Sequence, residues 1–361
     1  MVKGVYAHVP FCRVKCPYCD FYSVTEGSKE AFTELLLKEA RLRLKGVKAE
    51  TLYLGGGTPS LLGLKLLARL LERLISLTGG PGEVTVEVNP EDFGPEAFKT
   101  LKSLGVTRVS VGVQSFTEEG LRALGRRHGV KEAVRAVEAA LEAGLTVNAD
   151  LIWGWEGQTE ELLAREFKLL ERLRPHHLSA YLLSPPAGSG LRRAGEEELV
   201  KLHALLSEKT RQLGYERYEV SNWARDGAYC RHNLLYWKLE PFVGLGPSAW
   251  SFVGNERFYN ERSLSRWAEK LKRGEPPTAG RVKLDEVELE KERIMLGLRL
   301  REGLPESYRR YVPPFLEEFF ERDRFAVKEE HLLLLNELTA HVLLEYDRYN
   351  IKSRRARSSA G

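Results

Sequence analysis

From its N-terminus the chain alternates between short β-rich runs and longer helical stretches. The runs are GVYAHV, AETLYLG, EVTVEV, TRVSVGV, TVNADLIW and HHLSAYLL. Six strand–helix units over about 215 residues point to a parallel sheet with right-handed crossovers. LGLKLLARLLERLISLT, near 62–77, carries leucines at helical spacing. VKEAVRAVEAALEA, near 130–143, runs into Gly144, a C-cap signal. Six units fall short of the eight that close a barrel. The expected fold class is α/β, either an open partial barrel or a doubly wound sheet.

The pattern changes after residue 215. RYEVSNWARDGAYCRHNLLYWKLEPFVGLGPSAWSF is rich in aromatics and glycine, with weak periodicity. Helical signals return in DEVELEKERIMLGLRLREGL and HLLLLNELTAHVLLEY. RGEPPTAGR reads as a linker, so a boundary is expected near 275–285. The expected organisation is a barrel over 1–215, an aromatic and glycine-rich extension over 216–280 and a small, mainly helical C-terminal domain over 281–350. The basic tail, 351–361, is expected to be disordered.

Three of the four cysteines, Cys12, Cys16 and Cys19, lie in a loop just after the first β-run. Four cysteines in 361 residues are too few for a disulfide scaffold, and no secretory leader is evident. No apolar run approaches the roughly 18 residues of a membrane span. A reduced, cytoplasmic setting is expected, where clustered cysteines more often mean metal or redox chemistry. The net charge of +4 gives no reason to expect nucleic acid as a partner. A structural zinc site uses four closed ligands; here Asp20, His8 or Cys230 would have to complete it. A [4Fe–4S] cluster normally takes four cysteines. With three, one iron keeps an open position where a substrate can bind. The spacing therefore fits a catalytic iron–sulfur cluster better than zinc.

CRVKCPYC after a strand, followed by GGGTPS at 55–60, resembles the radical S-adenosylmethionine (SAM) superfamily. The resemblance implies that the amino and carboxylate groups of SAM chelate the open iron. An electron, from a donor, then cleaves the sulfonium and releases a 5′-deoxyadenosyl radical. Gly55, Gly56 and Gly57, with Thr58, would let backbone approach the methionine moiety. Glu87, Gln114 and Asp150 each end a predicted strand, at the rim where β/α barrels hold their active sites. Arg126 would meet the SAM carboxylate as a fork donor. Tyr6, alternating with His8 on the first strand, would pack beside the cluster or nucleoside.

YAHVPFC, CPYCDF, EVNP, GVQSF, LGRRHG, DLIWG and CRHNLLYW together resemble the HemW-type haem chaperones, relatives of oxygen-independent coproporphyrinogen III oxidase. The similarity covers roughly residues 3 to 350. It implies a partial (β/α)6 radical SAM barrel, with a [4Fe–4S] cluster, SAM and haem as cofactors. Haem would pass to a haem-requiring client apoprotein, and a homodimer is compatible with it. The oxidase pattern has a further cysteine two residues past the third; here that position is Phe21, and only 11 residues precede Cys12. In HNLLYW, the resemblance implies haem binding by His232, Tyr236 and Trp237. A histidine nitrogen suits haem iron, and the two aromatics offer flat faces to a porphyrin. A structural histidine among core aromatics is the alternative. The chain departs from the family at Trp250, where relatives often have histidine, at Glu156, usually proline, and at Trp153, usually tyrosine.

Overall fold

The computed structural model describes the backbone of residues 1–358 and the side chains of 1–351. Its first half is the expected alternation. β1 (Gly4–Val9) leads to α1 (Lys29–Arg43), β2 (Thr51–Gly56) to α2 (Leu64–Leu77) and β3 (Glu83–Val88) to α3 (Pro95–Ser103). β4 (Arg108–Gln114) is followed by α4 (Glu118–Ala123) and α5 (Val130–Glu142). β5 (Thr146–Trp153) precedes α6 (Glu160–Leu173), and β6 (His177–Leu182) precedes α7 (Glu196–Gln212). The six strands lie side by side in chain order, each parallel to the next.

Alternation along the strands separates two faces. In β4, Val109, Val111 and Val113 are fully buried against the helices, while Ser110, Gly112 and Gln114 point the other way, into a cavity. The helices answer with their own apolar stripes. In α2, Leu67, Leu70, Leu71 and Leu74 are all at 0% exposure, each contributing about 1.5–3 kcal/mol relative to an exposed side chain. Gly144, at φ +72°, closes α5 as its sequence suggests.

The second half extends this sheet. β7 (Glu216–Glu219) and β8 (Asn222–Ala224) form a hairpin that pairs antiparallel with β6. A short helix, α8 (Arg231–Trp237), then crosses to β9 (Phe242–Leu245), which pairs parallel with β1. β10 (Trp250–Val253), β11 (Glu256–Asn260), α9 (Leu264–Lys272) and β12 (Thr278–Lys283) follow. The twelve strands run in the order β12-β11-β10-β9-β1-β2-β3-β4-β5-β6-β8-β7. Residues 216–280 thus build both flanks of the barrel sheet rather than a separate extension. The segment expected as a linker near 275–285 holds edge strand β12.

The C-terminal region, α10 (Glu286–Gly297), short 3-10 turns and α11 (Leu335–Ser358), is mainly helical. It has its own apolar cluster, around Ile294, Phe320, Phe325 and Val342. The tail expected to be disordered from 351 is helical in backbone to Ser358; 359–361 lie outside the described residues.

Candidate functional site

Most inward positions of β2 to β6 are polar, with the apolar Val88, Ile152 and Leu182 among them, and they surround a cavity of about 520 Å³. Cys12, Cys16 and Cys19 line one end of it. Their loop is fixed at its base. The Cys12 N–H donates to the Val24 carbonyl at 3.0 Å, and the Val24 N–H donates to the Pro10 carbonyl at 2.8 Å. Phe11, buried, packs edge-on against Phe32 of α1 at 5.2 Å. All three thiols are free and half-buried. Burial pushes the Cys12 and Cys19 thiols up. Among the described residues no three His, Cys, Asp or Glu side chains converge as they would on a single metal ion. Of the alternative zinc ligands, Asp20 lines the cavity beside the three cysteines, and the other two are engaged by protein groups. His8 bonds through both ring nitrogens, to Tyr6 Oη (3.0 Å) and to the Tyr22 carbonyl (2.8 Å). Cys230 is buried beside Glu83, at the start of β3. Three thiols from one loop, with Cys230 lining the same cavity but held beside Glu83, fit a polynuclear cluster with one open position.

The three glycines also allow close approach by protein groups. A Cβ on Gly55 would lie 2.7 Å from the Glu87 carboxyl group, and one on Gly57 2.7 Å from the Val9 carbonyl oxygen. Gly56 has φ +108°, and a Cβ there would sit 2.2 Å from His8 Nδ1. These positions admit protein groups: a carboxylate, an imidazole and the backbone at the root of the cysteine loop. Gly56 and Gly57 also line the cavity, with Thr58; Gly55 does not.

Glu87 accepts from Tyr53 Oη at 2.8 Å and from the Gly56 N–H at 3.0 Å. Burial pushes its pKa up to about 7, Asp150 adds to the rise, and the two hydrogen bonds oppose it. Asp150 is raised by burial too, against hydrogen bonds from Ser110 (2.7 Å) and Asn148 (2.8 Å). Arg126 reaches the same cavity from the loop after α4. It donates to Cys16 Sγ (3.4 Å), Tyr18 Oη (3.2 Å) and Asn89 Oδ1 (2.9 Å), and its buried Nε has no partner. Gln114 sits at a register break between β4 and β5 with φ +66°, a strained backbone for a non-glycine residue. Tyr6 lies behind this surface, bonded to His8.

Sequence reasoning missed the deeper lining: Tyr53, Ser110, Asn148, His177, Tyr181 and Asn233. Most of these were marked by period two, alternating with valine, leucine and alanine. His177, fully buried, bonds Asn148 Oδ1 (2.6 Å) and Tyr218 Oη (2.7 Å). Phe21 also lines the cavity and is 65% exposed. Of the departures, Trp153 is buried against His203, Glu156 pairs with Arg192 at 3.6 Å, and Trp250 stacks on Tyr259; none lines the cavity.

The three residues expected at haem sit in a closed cluster. His232 is 1% exposed. Its Nδ1 bonds Thr51 Oγ1 at 2.7 Å and its Nε2 bonds Tyr236 Oη at 2.8 Å. Its ring stacks on Tyr53 at 5.2 Å. Thr51 opens β2, whereas the glycines end it, so His232 and the cysteine loop belong to opposite ends of that strand. Glu83 holds the start of α8, accepting from the N–H groups of Arg231 (3.0 Å) and His232 (2.9 Å). Trp237 faces Arg299 at 5.7 Å. The segment forms a plug at the barrel floor, and neither His232 nitrogen is open to a ligand. Asn233, beside it, is the member that lines the cavity.

Residues 6–170 match the radical SAM superfamily, whose cofactors are a [4Fe–4S] cluster and SAM. Heme chaperone HemW of Mycobacterium tuberculosis is 38% identical over 322 residues, covering 84% of this chain and 83% of the relative. Heme chaperone HemW of Bacillus subtilis is 31% identical over 324 residues, covering 84% and 85%. Among solved structures, coproporphyrinogen III oxidase (HemN) from Escherichia coli superposes with a TM-score of 0.79 at 19% identity, covering 96% of this chain and 90% of that one. That likeness is one of fold. On sequence, the chain belongs to the HemW family of the radical SAM superfamily.

Proposed function

We propose that the chain is a haem chaperone. It binds a [4Fe–4S] cluster through Cys12, Cys16 and Cys19 and holds SAM over Glu87, Gln114, Arg126 and Asp150. It carries haem to a client apoprotein. The observation that carries the reading is the set of three half-buried thiols on a cavity that also presents Glu87, Gln114, Arg126 and Asp150 among apolar side chains such as Val88, Ile152 and Leu182. When bound, the cluster supplies a one-electron reductant and an open iron. The protein's part is to bind and orient: Arg126 offers a guanidinium, and Glu87 and Asp150 offer buried carboxylates. His232 is left out of the haem site, because ligation would need both of its hydrogen bonds broken and the plug opened.

The test is anaerobic reconstitution. Replacing Cys12, Cys16 or Cys19 by alanine should abolish iron–sulfur absorption, and Cys230→Ala should keep it. Haem added to the wild-type chain should give a Soret band. Loss of the cluster in Cys230→Ala would show a closed four-cysteine site and sink the SAM assignment. A second reading, porphyrinogen decarboxylation, has the overall likeness to the oxidase in its favour. Against it stands Phe21, a phenyl ring at the cavity where the oxidase pattern has a thiol. Turnover of a porphyrinogen with release of 5′-deoxyadenosine would favour that reading.

A further inference from the structure

A second cavity, of about 440 Å³, lies apart from the first. Its walls come from α7, from β7 and β8, and from the C-terminal region between residues 301 and 329. Arg211, Arg217, Arg301 and Arg324 line it, with Glu216, Glu321 and Glu329. Four guanidiniums against three carboxylates leave a positive excess. Each carboxylate is already engaged. Glu216 accepts from Arg301 and from Tyr229 Oη, Glu321 from Arg324 at 3.4 Å, and Glu329 from Arg211 at 3.4 Å. Arg217 approaches Glu329 only at 3.9 Å, through Nε.

The buried donors distinguish this cavity. Arg217 Nη1, Arg324 Nε, Trp223 Nε1 and Ser207 Oγ are all buried without a hydrogen-bond partner. The Arg217 side chain is 10% exposed, Trp223 2% and Ser207 8%. Buried polar groups are nearly always paired, so several orphans around one cavity call for an explanation. Guanidinium and indole nitrogens only donate, and a hydroxyl can donate. All four can therefore be satisfied by acceptor oxygens, and no lining carboxylate reaches them within hydrogen-bond distance. Burial lowers the pKa of Arg217, as expected of a cation short of counter-charge. The volume falls in the range of roughly 300–1,000 Å³ typical of small-molecule sites, larger than a bare ion requires.

We propose that this seam binds a small molecule through an oxyanion, a carboxylate or a phosphate group. Its oxygens accept from Arg217, Arg324, Trp223 and Ser207. Bound there, it ties the barrel's last hairpin to the C-terminal region. The site is independent of the cluster and of the haem reading.

Calorimetry and thermal melts on the full chain test it. The probes are inorganic phosphate and citrate, each against sodium chloride at matched ionic strength. At least one should give saturable heat and a raised melting temperature. A response to phosphate alone marks a phosphate-bearing ligand; to citrate alone, a carboxylate. Arg217→Met should weaken that binding about tenfold or more, since it removes a charge-assisted donor. Without anion this variant serves as its own baseline, because it also loses the ion pair to Glu329. Arg324→Gln and Ser207→Ala should weaken binding as well, and they carry the test if Arg217→Met does not fold. The response should persist in Arg126→Gln, which separates it from the SAM cavity. Equal binding by wild type and these variants would overturn the proposal. So would the absence of any response beyond chloride, which would mean that water fills the seam.

Discussion

His232→Ala should destabilise the fold and leave haem binding intact. The imidazole joins three elements: it bonds Thr51 of β2 and Tyr236 of α8, and stacks on Tyr53. Truncation leaves two hydroxyls without their partner inside a sealed plug. Each unpaired buried group costs about 1–3 kcal/mol, and the vacated ring adds a cavity term. Tyr236 is only partly buried, so with about 1–1.5 kcal/mol for each hydroxyl and about 1–2 kcal/mol for the cavity, the total is about 3–5 kcal/mol. Unfolding entropy near 2.1 cal/mol/K per residue, taken over 361 residues, gives roughly 760 cal/mol/K. The expected fall in melting temperature is then about 4–7 °C, for a two-state transition.

The penalty should also depend on pH. Burial drives the His232 pKa down to about 3. A histidine depressed in the folded state gives its full contribution above its unfolded value, near 6.5. That contribution is lost progressively as pH falls from there towards the folded value. The gap between wild type and His232→Ala should thus narrow below about pH 6.5. The assay pairs thermal melts of the haem-free proteins with a haem titration followed at the Soret band. An unchanged melting temperature with haem affinity lost would refute the plug and restore His232 as a ligand.

The remaining predictions concern the upper cavity. Glu87, with its pKa raised to about 7 by burial, costs the folded state stability as pH rises from about 4.5 to 7, up to about 3 kcal/mol for a shift of this size. The melting temperature of Glu87→Gln relative to wild type should therefore climb across that window and level off above it; a flat difference would mean that the carboxyl is already ionised. If the ionised Glu87 accepts from the N–H of the SAM amino group, SAM affinity of wild type should fall as pH drops below about 7, by at most about tenfold per pH unit, while Glu87→Gln stays level. Gly56→Val places a side chain on the His8 ring at a positive φ, so the fold and the cluster loop should suffer together. A folded, cluster-loaded Gly56→Val that has lost only SAM affinity would show that the glycine serves the ligand instead.

The parts of this molecule that were legible in sequence depend on neighbours close in the chain. β1 to β6 show their period-two alternation within six to eight residues, and α2 and α5 show theirs within a few turns. The cysteine loop is legible because three cysteines fall within eight positions, and the family motifs mark the strand ends that meet them. The illegible parts depend on partners far away. The role of HNLLYW is set by Glu83 and Thr51, some 150 and 180 positions upstream, and nothing local distinguishes a buried His–Thr–Tyr plug from an exposed haem ligand. FVGL joins β1 only once α8 has crossed the barrel floor, so 216–280 reads as an extension although it completes the sheet. The glycines of GGGTPS are the sharpest case. Their type announces close approach, and close approach is what they provide, but type alone does not say to what. Here a valine carbonyl, an imidazole and a carboxylate fill the space on the Cβ side, and Gly56 and Gly57 still line the cavity on the other. The substitution that would test SAM binding cleanly is therefore on the side chains that face the cavity, Arg126 and Glu87, and not on the backbone beneath them.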